Sequence, residues 1–214
     1  MKKTTFILTS IAFFSVFFMS VADAEMMTFV RDYTYQASEV DSKQSSRLIA
    51  TEQVKRLLLE ELGTYLESHT EVTNYQLTKD QVTTLTAGVV KTKIVNEKWD
   101  GEKYWMRAKI DADPDEVAKS IDKLRNDKKK VAELAESKKK TDDTMKDMEV
   151  LRKDLESDKD NKEKIDKYND KVRSLKLIEA MADSFKAFTE GKPENAMGSF
   201  FDMMKKTVET TPDK

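Results

Sequence analysis

Hydrophobic and polar residues follow two different periods along this chain, and the change of period separates a front part from a back part. Between residues 25 and 112, stretches that alternate every second residue flank one in which apolar residues recur every three or four positions. Beyond Asp113 the helical period continues among many charged residues, with no Gly or Pro between Asp115 and Glu190. The pattern predicts an α+β domain over residues 25–112, followed by long helix.

The front part has the pattern of a small antiparallel sheet with one packed amphipathic helix. Strands are predicted at residues 28–37 and 71–77, where Phe, Val, Tyr, Leu and Thr alternate with polar residues. Residues 42–66 between them predict a helix with a single apolar stripe. The stripe consists of Ala50, Val54, Leu57, Leu58, Leu62 and Tyr65.

Two further helices have recognisable start signals. Thr78 and Gln81 have the spacing of a capping box, in which each side chain bonds the other residue's backbone N–H. We expect this short helix to end at Gly88. Asp113 followed by Pro114 predicts the next start, because Asp is a favoured N-cap and Pro is tolerated at the first helical position.

A β-hairpin is predicted over residues 88–112, with the dipeptide Asp100-Gly101 at its turn. A two-residue turn places Val95 opposite Met106, whereas a three-residue loop ending at Gly101 places Ile94 there. We prefer the second register, because it keeps charge off the face toward the helix. It buries Tyr104, Met106, Ala108 and Ile110, and it gathers Lys91, Lys93, Val95, Trp105, Arg107 and Lys109 on the opposite face.

Residues 113–178 predict a long charged helical segment with coiled-coil-like spacing of its apolar residues. Lys128, Lys138 and Asp142 interrupt that spacing, so a continuous coiled coil is not specified. One long rod and a hairpin that breaks near residues 157–161 fit equally well. The apolar positions are Val117, Ile121, Leu124, Val131, Met145, Met148, Leu151, Leu155, Ile165, Tyr168, Val172 and Leu175.

The first 24 residues have the features of a bacterial secretory signal peptide. Lys2 and Lys3 precede an uncharged apolar stretch, and Ala22 and Ala24 provide the small residues of a cleavage site. An uncleaved membrane anchor is the alternative. We expect cleavage after Ala24, no membrane span in the mature chain, and a periplasmic or secreted protein.

Composition narrows the possible functions. The 214 residues include 38 Lys and Arg against 40 Asp and Glu, one His and no Cys. A balanced charge lacks the basic excess of nucleic-acid-binding proteins, and the absence of Cys excludes disulfides and thiolate sites. His69, near Glu67 and Glu71, is a weak metal candidate, and an ordinary solvated histidine is the preferred interpretation. No nucleotide-binding or hydrolase motif occurs, so we expect no enzyme, metal or cofactor.

Three segments resemble known exported proteins: YTYQASEVDSKQSSRLIATEQVKRLLLEELGTYLESHTEV, LTKDQVTTLTAGVVKTKIV and EKWDGEKYWMRAKIDADPDEV. They resemble a domain at the front of many exported bacterial proteins of unknown function, some with tetratricopeptide repeats. Their order of elements is similar to that of the small outer-membrane lipoprotein family and of the N-terminal domain of the flagellar H-ring assembly protein. The resemblance covers residues 28–121 and implies an envelope-located interaction domain without catalytic residues. The lipid-bearing Cys of such lipoproteins is missing here, so a lipid anchor is not implied.

Residues 179–214 predict a C-terminal helix pair that is similar to one degenerate tetratricopeptide unit. Gly191 lies between the two helices, and Ala196 and Phe200 occupy positions where that motif has a small and an aromatic residue. Met203 departs from the motif. A single unit cannot bury its own apolar face, so it must pack on the long helix, on a second copy or on a partner.

The sequence therefore predicts a non-catalytic adaptor or scaffold of the bacterial cell envelope that acts by protein–protein interaction. The sequence does not identify its envelope partner. A homodimer through the long helix is a further expectation. The alternative is a protein that binds a small molecule, lipid or glycan through the sheet face around Trp105. The candidate binding residues are Lys91, Lys93, Trp105, Arg107 and Lys109, although such residues also occur where they only keep a sheet face soluble.

Overall fold

The computed structural model describes residues 25–69 and 77–189, and it has the predicted α+β class with a three-stranded antiparallel sheet and five helices in that part of the chain. The predicted signal peptide, residues 71–76 of the second predicted strand and the C-terminal pair beyond residue 189 lie outside the described residues. The elements are β1 (Met27–Gln36), α1 (Lys43–His69), α2 (Lys79–Val89), β2 (Lys93–Trp99), β3 (Lys103–Ala112), α3 (Pro114–Arg125), α4 (Lys128–Ser157) and α5 (Lys162–Thr189).

The sheet has the order β1-β3-β2, so the last strand in the chain lies in the middle. Alternate residues of β3 face α1 and are buried, as the hairpin pattern predicted. Phe29 and Tyr35 of β1 are buried as well, and the Phe29 ring contacts Tyr65 of α1 edge to face. The buried β3 residues are Tyr104, Met106, Ala108, Ile110 and Ala112.

Both predicted registers of the β2–β3 hairpin are wrong. The structure pairs Trp99 with Tyr104 and Glu97 with Met106, so the turn extends further toward β3 than either prediction placed it. Val95 is then the extra residue of a β-bulge between Ile94 and Asn96. The error already lies at the turn, where four residues, 100–103, separate the first paired residues instead of the predicted two or three. The bulge then changes which side chains of β2 share a face beyond it. Gly101 has a φ of 108° in the turn, a conformation that glycine adopts without strain.

Helix α1 lies between the sheet and the helices of the back part. Its predicted stripe faces the sheet, with Ala50, Val54, Leu58 and Leu62 fully buried. Leu57 is an error in the stripe, because it lies at the edge of that face and is 36% exposed. In its first two turns α1 is buried on the opposite side too. Those additional buried residues are Ser45, Ser46, Leu48 and Ile49.

Helix α2 begins at the predicted capping box of Thr78 and Gln81, and both reciprocal hydrogen bonds are present. The predicted stop at Gly88 is wrong, because the helix continues through Val89. Gly88 is instead a site of close packing. A β-carbon there would lie 2.7 Å from a methyl carbon of Leu134 and 3.0 Å from one of Leu124.

The charged segment is three helices rather than one. Asp113 caps α3 and Pro114 begins it, as predicted. An unpredicted break at Asn126 and Asp127 separates α3 from α4, and the Asp127 carboxylate caps the new helix at the N–H of Lys130. The break at residues 158–161 turns α5 back along α4, so the hairpin alternative is the correct one.

The α4–α5 hairpin packs on the side of α1 that faces away from the sheet. Met148 and Leu155 of α4 and Tyr168 and Leu175 of α5 are almost fully buried, and they belong to the same core cluster as the sheet and α1. The remaining predicted apolar positions of the hairpin are half-buried around them. The result is three layers, with the sheet, α1 and the hairpin stacked in that order.

Candidate functional site: the outer face of the sheet

The face of the sheet that points away from α1 contains most of the predicted binding residues. Trp105, Arg107 and Lys109 alternate along β3, and Lys93 pairs with Lys109 from β2. Lys91 is the exception, because it precedes β2 and is not part of the sheet. Residues that pair directly across strands share a face. The outer face consists of Thr28, Val30, Asp32, Thr34, Gln36, Lys93, Asn96, Lys98, Lys103, Trp105, Arg107, Lys109 and Asp111.

Arg107 is paired with a carboxylate from the neighbouring strand. Its Nε and one terminal nitrogen donate to the two carboxylate oxygens of Asp32, each at 2.7 Å. These hydrogen bonds hold the pKa of the Asp32 carboxyl below its usual value. Both side chains are exposed, so the pair fixes their geometry more than it stabilises the fold. The predicted cluster therefore contains a carboxylate that the sequence analysis did not place there.

A second carboxylate, Asp111, lies between two of the predicted lysines. Its Oδ2 is 2.9 Å from the Nζ of Lys109 and 3.2 Å from the Nζ of Lys93. The Thr28 hydroxyl donates to its Oδ1 at 2.9 Å. The hydrogen bonds from Lys109, Thr28 and Lys93 lower the pKa of Asp111 to about 2. Both lysines at this end of the face are thus engaged by one carboxylate.

The end of the face near the hairpin turn has a different character. Lys98 pairs with Trp105 across the strands, and Lys103 is two residues away from Trp105 along β3. Neither lysine takes part in an ion pair within the described residues. Arg107 lies over the indole of Trp105, with 5.5 Å between its guanidinium carbon and the ring centroid. Trp105 itself is partly buried, and the exposed part of its indole lies between cations.

Lys98 was missed because the preferred register placed it on the face toward the helix, and Lys103 was missed although its face in β3 does not depend on the register. In the true register Lys98 is directly opposite Trp105. The available signal was a parity argument: Lys103, Trp105, Arg107 and Lys109 are separated by two residues each, so they lie on one face of β3 in any register.

A separate polar cluster joins the hairpin to the front part around Asp41, in the loop between β1 and α1. The Asp41 carboxylate accepts hydrogen bonds from the phenols of Tyr35 and Tyr168 and from Ser38. Arg152 of α4 donates to the Tyr35 hydroxyl at 3.2 Å. Burial, together with the negative charge of Asp41, raises the pKa values of both tyrosines. The cluster keeps both phenols neutral. It is a structural latch that joins the hairpin to the front part.

Lys55 of α1 lies between two carboxylates where α1 meets α5. Its Nζ is 3.1 Å from Glu52 and 2.8 Å from Glu179. Burial opposes its charge, but the two carboxylates outweigh that effect and raise the pKa of Lys55 above its usual value. A catalytic lysine needs a lowered pKa, so Lys55 is instead a contact between α1 and α5 within the chain.

The carboxylates give no sign of general acid catalysis in the described part of the chain. A general acid at neutral pH needs a raised pKa, which comes from burial or from a second carboxylate nearby. Wherever a carboxyl pKa departs clearly from its usual value among the described residues, it is lowered by hydrogen bonds or cations. These groups are Asp32, Asp100, Asp111, Glu136, Glu149, Asp158 and Glu163.

Within residues 25–69 and 77–189, no group of three or more acidic or histidine side chains is placed to hold a metal ion. No helix of that part is long and apolar enough to cross a membrane. His69 is the last residue of α1, and the strand predicted to follow it lies mostly outside the described residues.

Comparison with protein-family models, with curated proteins and with solved structures finds no significant match for this chain. The resemblance to the outer-membrane lipoproteins and to the H-ring assembly protein therefore stays a prediction from the sequence. The function is therefore inferred from the geometry of the outer face.

Proposed function

We propose that the protein is an exported, non-catalytic adaptor of the bacterial cell envelope that docks a protein partner on the outer face of its sheet. One observation carries the proposal. A partly exposed indole, Trp105, lies on the sheet face away from α1, beside two lysines that have no ion pair within the described residues. Tryptophan is enriched among the residues that dominate the binding energy of protein interfaces, and charges around such a residue orient the partner.

The packing of the helices favours docking through the sheet over dimerisation through the hairpin. The apolar positions expected at a helical dimer interface are Met148, Leu155, Tyr168 and Leu175, and they pack within the chain. The opposite surface of the hairpin carries mainly charged side chains in exposed ion pairs, such as Lys140 with Glu136 and Lys153 with Glu149. Surfaces of this kind contribute little to association.

The position of Thr34 offers a direct test. Thr34 is exposed and pairs with Trp105 across β1 and β3, so a photo-crosslinking side chain there samples the docking face without replacing Trp105. In cells that express the full chain, we expect Thr34→benzoylphenylalanine to give discrete protein adducts. The matched control is Asp143→benzoylphenylalanine on the exposed surface of α4. Equal labelling from both positions, or adducts only with lipid or glycan, would contradict a protein-docking role, and the second result would favour the alternative function.

Export has its own test, because it depends on the first 24 residues. We expect mass spectrometry of the protein from the envelope or culture medium to give a chain that begins at Glu25. A chain that retains Met1 and sediments with membranes would instead favour the uncleaved anchor.

A further inference from the structure

The outer face divides into two halves of different charge. At the Asp111 end, the cations Lys93 and Lys109 share one carboxylate. In the middle, Arg107 is held by Asp32. Both carboxylates of the face are therefore already engaged by cations of the face. The half near the hairpin turn contains Lys98 and Lys103 with no carboxylate of the face beside them.

From this asymmetry we infer that the turn-side half binds an acidic, extended segment of a partner protein, with Trp105 as its apolar contact. The inference rests on the proposed docking function and adds the chemistry of the partner. The two lysines would attract side-chain carboxylates, and the indole would pack against the stem or backbone between them. Arg107, held by Asp32, lies over the indole ring and helps to keep it in place.

Charge argues against a second copy of the chain as the occupant. Five cations and two carboxylates lie on the outer face, so two such faces brought together would place an excess of cations against one another. Like charges opposed across an interface disfavour association. An acidic partner relieves that repulsion.

The shape of the cationic region favours a narrow segment over a membrane surface. Asp111 and Asp32 lie on the same face as the lysines, and Asp100 and Glu102 lie at the turn. A flat anionic bilayer would meet these carboxylates together with the lysines. An extended segment can instead lie across Lys98, Trp105 and Lys103 alone.

The turn beside this region is rigid, which favours binding without rearrangement. The Asp100 carboxylate accepts hydrogen bonds from the backbone N–H groups of Glu102 at 3.0 Å and Lys103 at 2.6 Å. These hydrogen bonds lower the pKa of Asp100, and the nearby positive charge of Lys103 lowers it further. Lys103 therefore begins β3 from a fixed backbone position, so binding costs less conformational entropy.

The test uses the full chain and a fluorescein-labelled oligoglutamate peptide, with oligolysine as the opposite charge and phosphatidylglycerol vesicles as the membrane probe. We expect oligoglutamate to bind and added salt to weaken it. The double variant Lys98→Glu/Lys103→Glu should weaken binding about tenfold or more, since each 1.4 kcal/mol is tenfold. The double variant Lys139→Glu/Lys146→Glu carries the same charge change on exposed α4 lysines and should stay within about twofold of the parent chain.

The outcomes separate this inference from the docking function. Equal weakening by both double variants, no binding by the parent chain, or binding to vesicles but not to oligoglutamate would each overturn the acidic-segment inference. If protein adducts still form from Thr34 in those cases, the docking function stands with a partner of other chemistry. Trp105→Ala should also weaken oligoglutamate binding, and Trp105→Phe should restore part of it. Unchanged binding in Trp105→Ala would remove the indole from the site.

Discussion

The phenol of Tyr168 in α5 donates a hydrogen bond to the carboxylate of Asp41, which lies 127 residues earlier in the chain. Tyr168 is almost fully buried, and the same carboxylate also receives Tyr35 of β1 at 2.9 Å. One side chain in a loop thus joins the first strand, the central helix and the last described helix. Variants of Tyr168 therefore report how strongly the hairpin is attached to the front part of the chain.

Removing the Tyr168 hydroxyl should weaken that attachment. Tyr168→Phe keeps the ring but leaves Asp41 with one partner fewer in a partly buried site, so we expect unfolding free energy to fall by about 1–3 kcal/mol. Urea unfolding followed by circular dichroism measures the change. The matched control is Tyr33→Phe, since the Tyr33 phenol has no hydrogen bond within the described residues. A loss of similar size in both variants would argue against the latch.

Alkaline pH should act on the same contact. The pKa values of Tyr35 and Tyr168 are raised by burial and by Asp41, so the folded state favours the neutral phenols. A raised folded pKa gives a stabilisation that is complete below the unfolded pKa of about 10 and is lost as pH rises above it. We expect the urea midpoint of the parent chain to fall above about pH 10 more steeply than that of Tyr168→Phe. Parallel profiles for the two chains would exclude this linkage.

The start of α3 depends on the Asp113 side chain. Its carboxylate accepts hydrogen bonds from the backbone N–H groups of Asp115 at 2.9 Å and Glu116 at 3.4 Å. Asp113→Ala should therefore cost about 1 kcal/mol of stability. Asp113→Asn keeps an acceptor oxygen and should recover most of that loss in thermal or urea unfolding. If the two variants are equally unstable, charge rather than capping is responsible.

The centre of the core lies between β3 and α1. Met106 is fully buried there and contacts the Thr51 hydroxyl through its sulfur at 3.6 Å. Met106→Ala should lower stability by about 2–5 kcal/mol, because it removes buried methylene groups and leaves a cavity. Val150→Ala on α4, where the side chain is 52% exposed, should change it by less than about 0.5 kcal/mol. A small effect at Met106 would place the main core elsewhere.

Local signals in the sequence predicted much of the fold. The capping box at Thr78, the Asp113-Pro114 start and the alternation of β3 each depend on residues a few positions apart, and each is confirmed. The break at Asp127 was also available from the sequence, because Asn126 and Asp127 are favoured at helix ends and caps. It was missed because the apolar period continues across the break from Leu124 to Val131.

Features that depend on distant residues could not be predicted. The bulge at Val95 shifts the register of β2 by one residue, and hydrophobic alternation in an exposed edge strand does not record such a shift. The ion-pair partner of Arg107 is Asp32, which lies in β1, 75 residues away. Without the pairing of β1 and β3, a row of basic residues in the sequence looked unopposed.

The placement of α1 between two layers has a consequence for how the chain is made. Synthesis proceeds from the N-terminus, so α1 emerges long before β3 can complete the sheet on one side and before Leu175 can cover the other. During that interval, both apolar sides of α1 are exposed to solvent on the nascent polypeptide. Closure of the contacts between α1 and α5 must wait until nearly all of the described chain has emerged, and contacts so distant in sequence form slowly. The unfinished chain is therefore the form most exposed to aggregation and most in need of a chaperone.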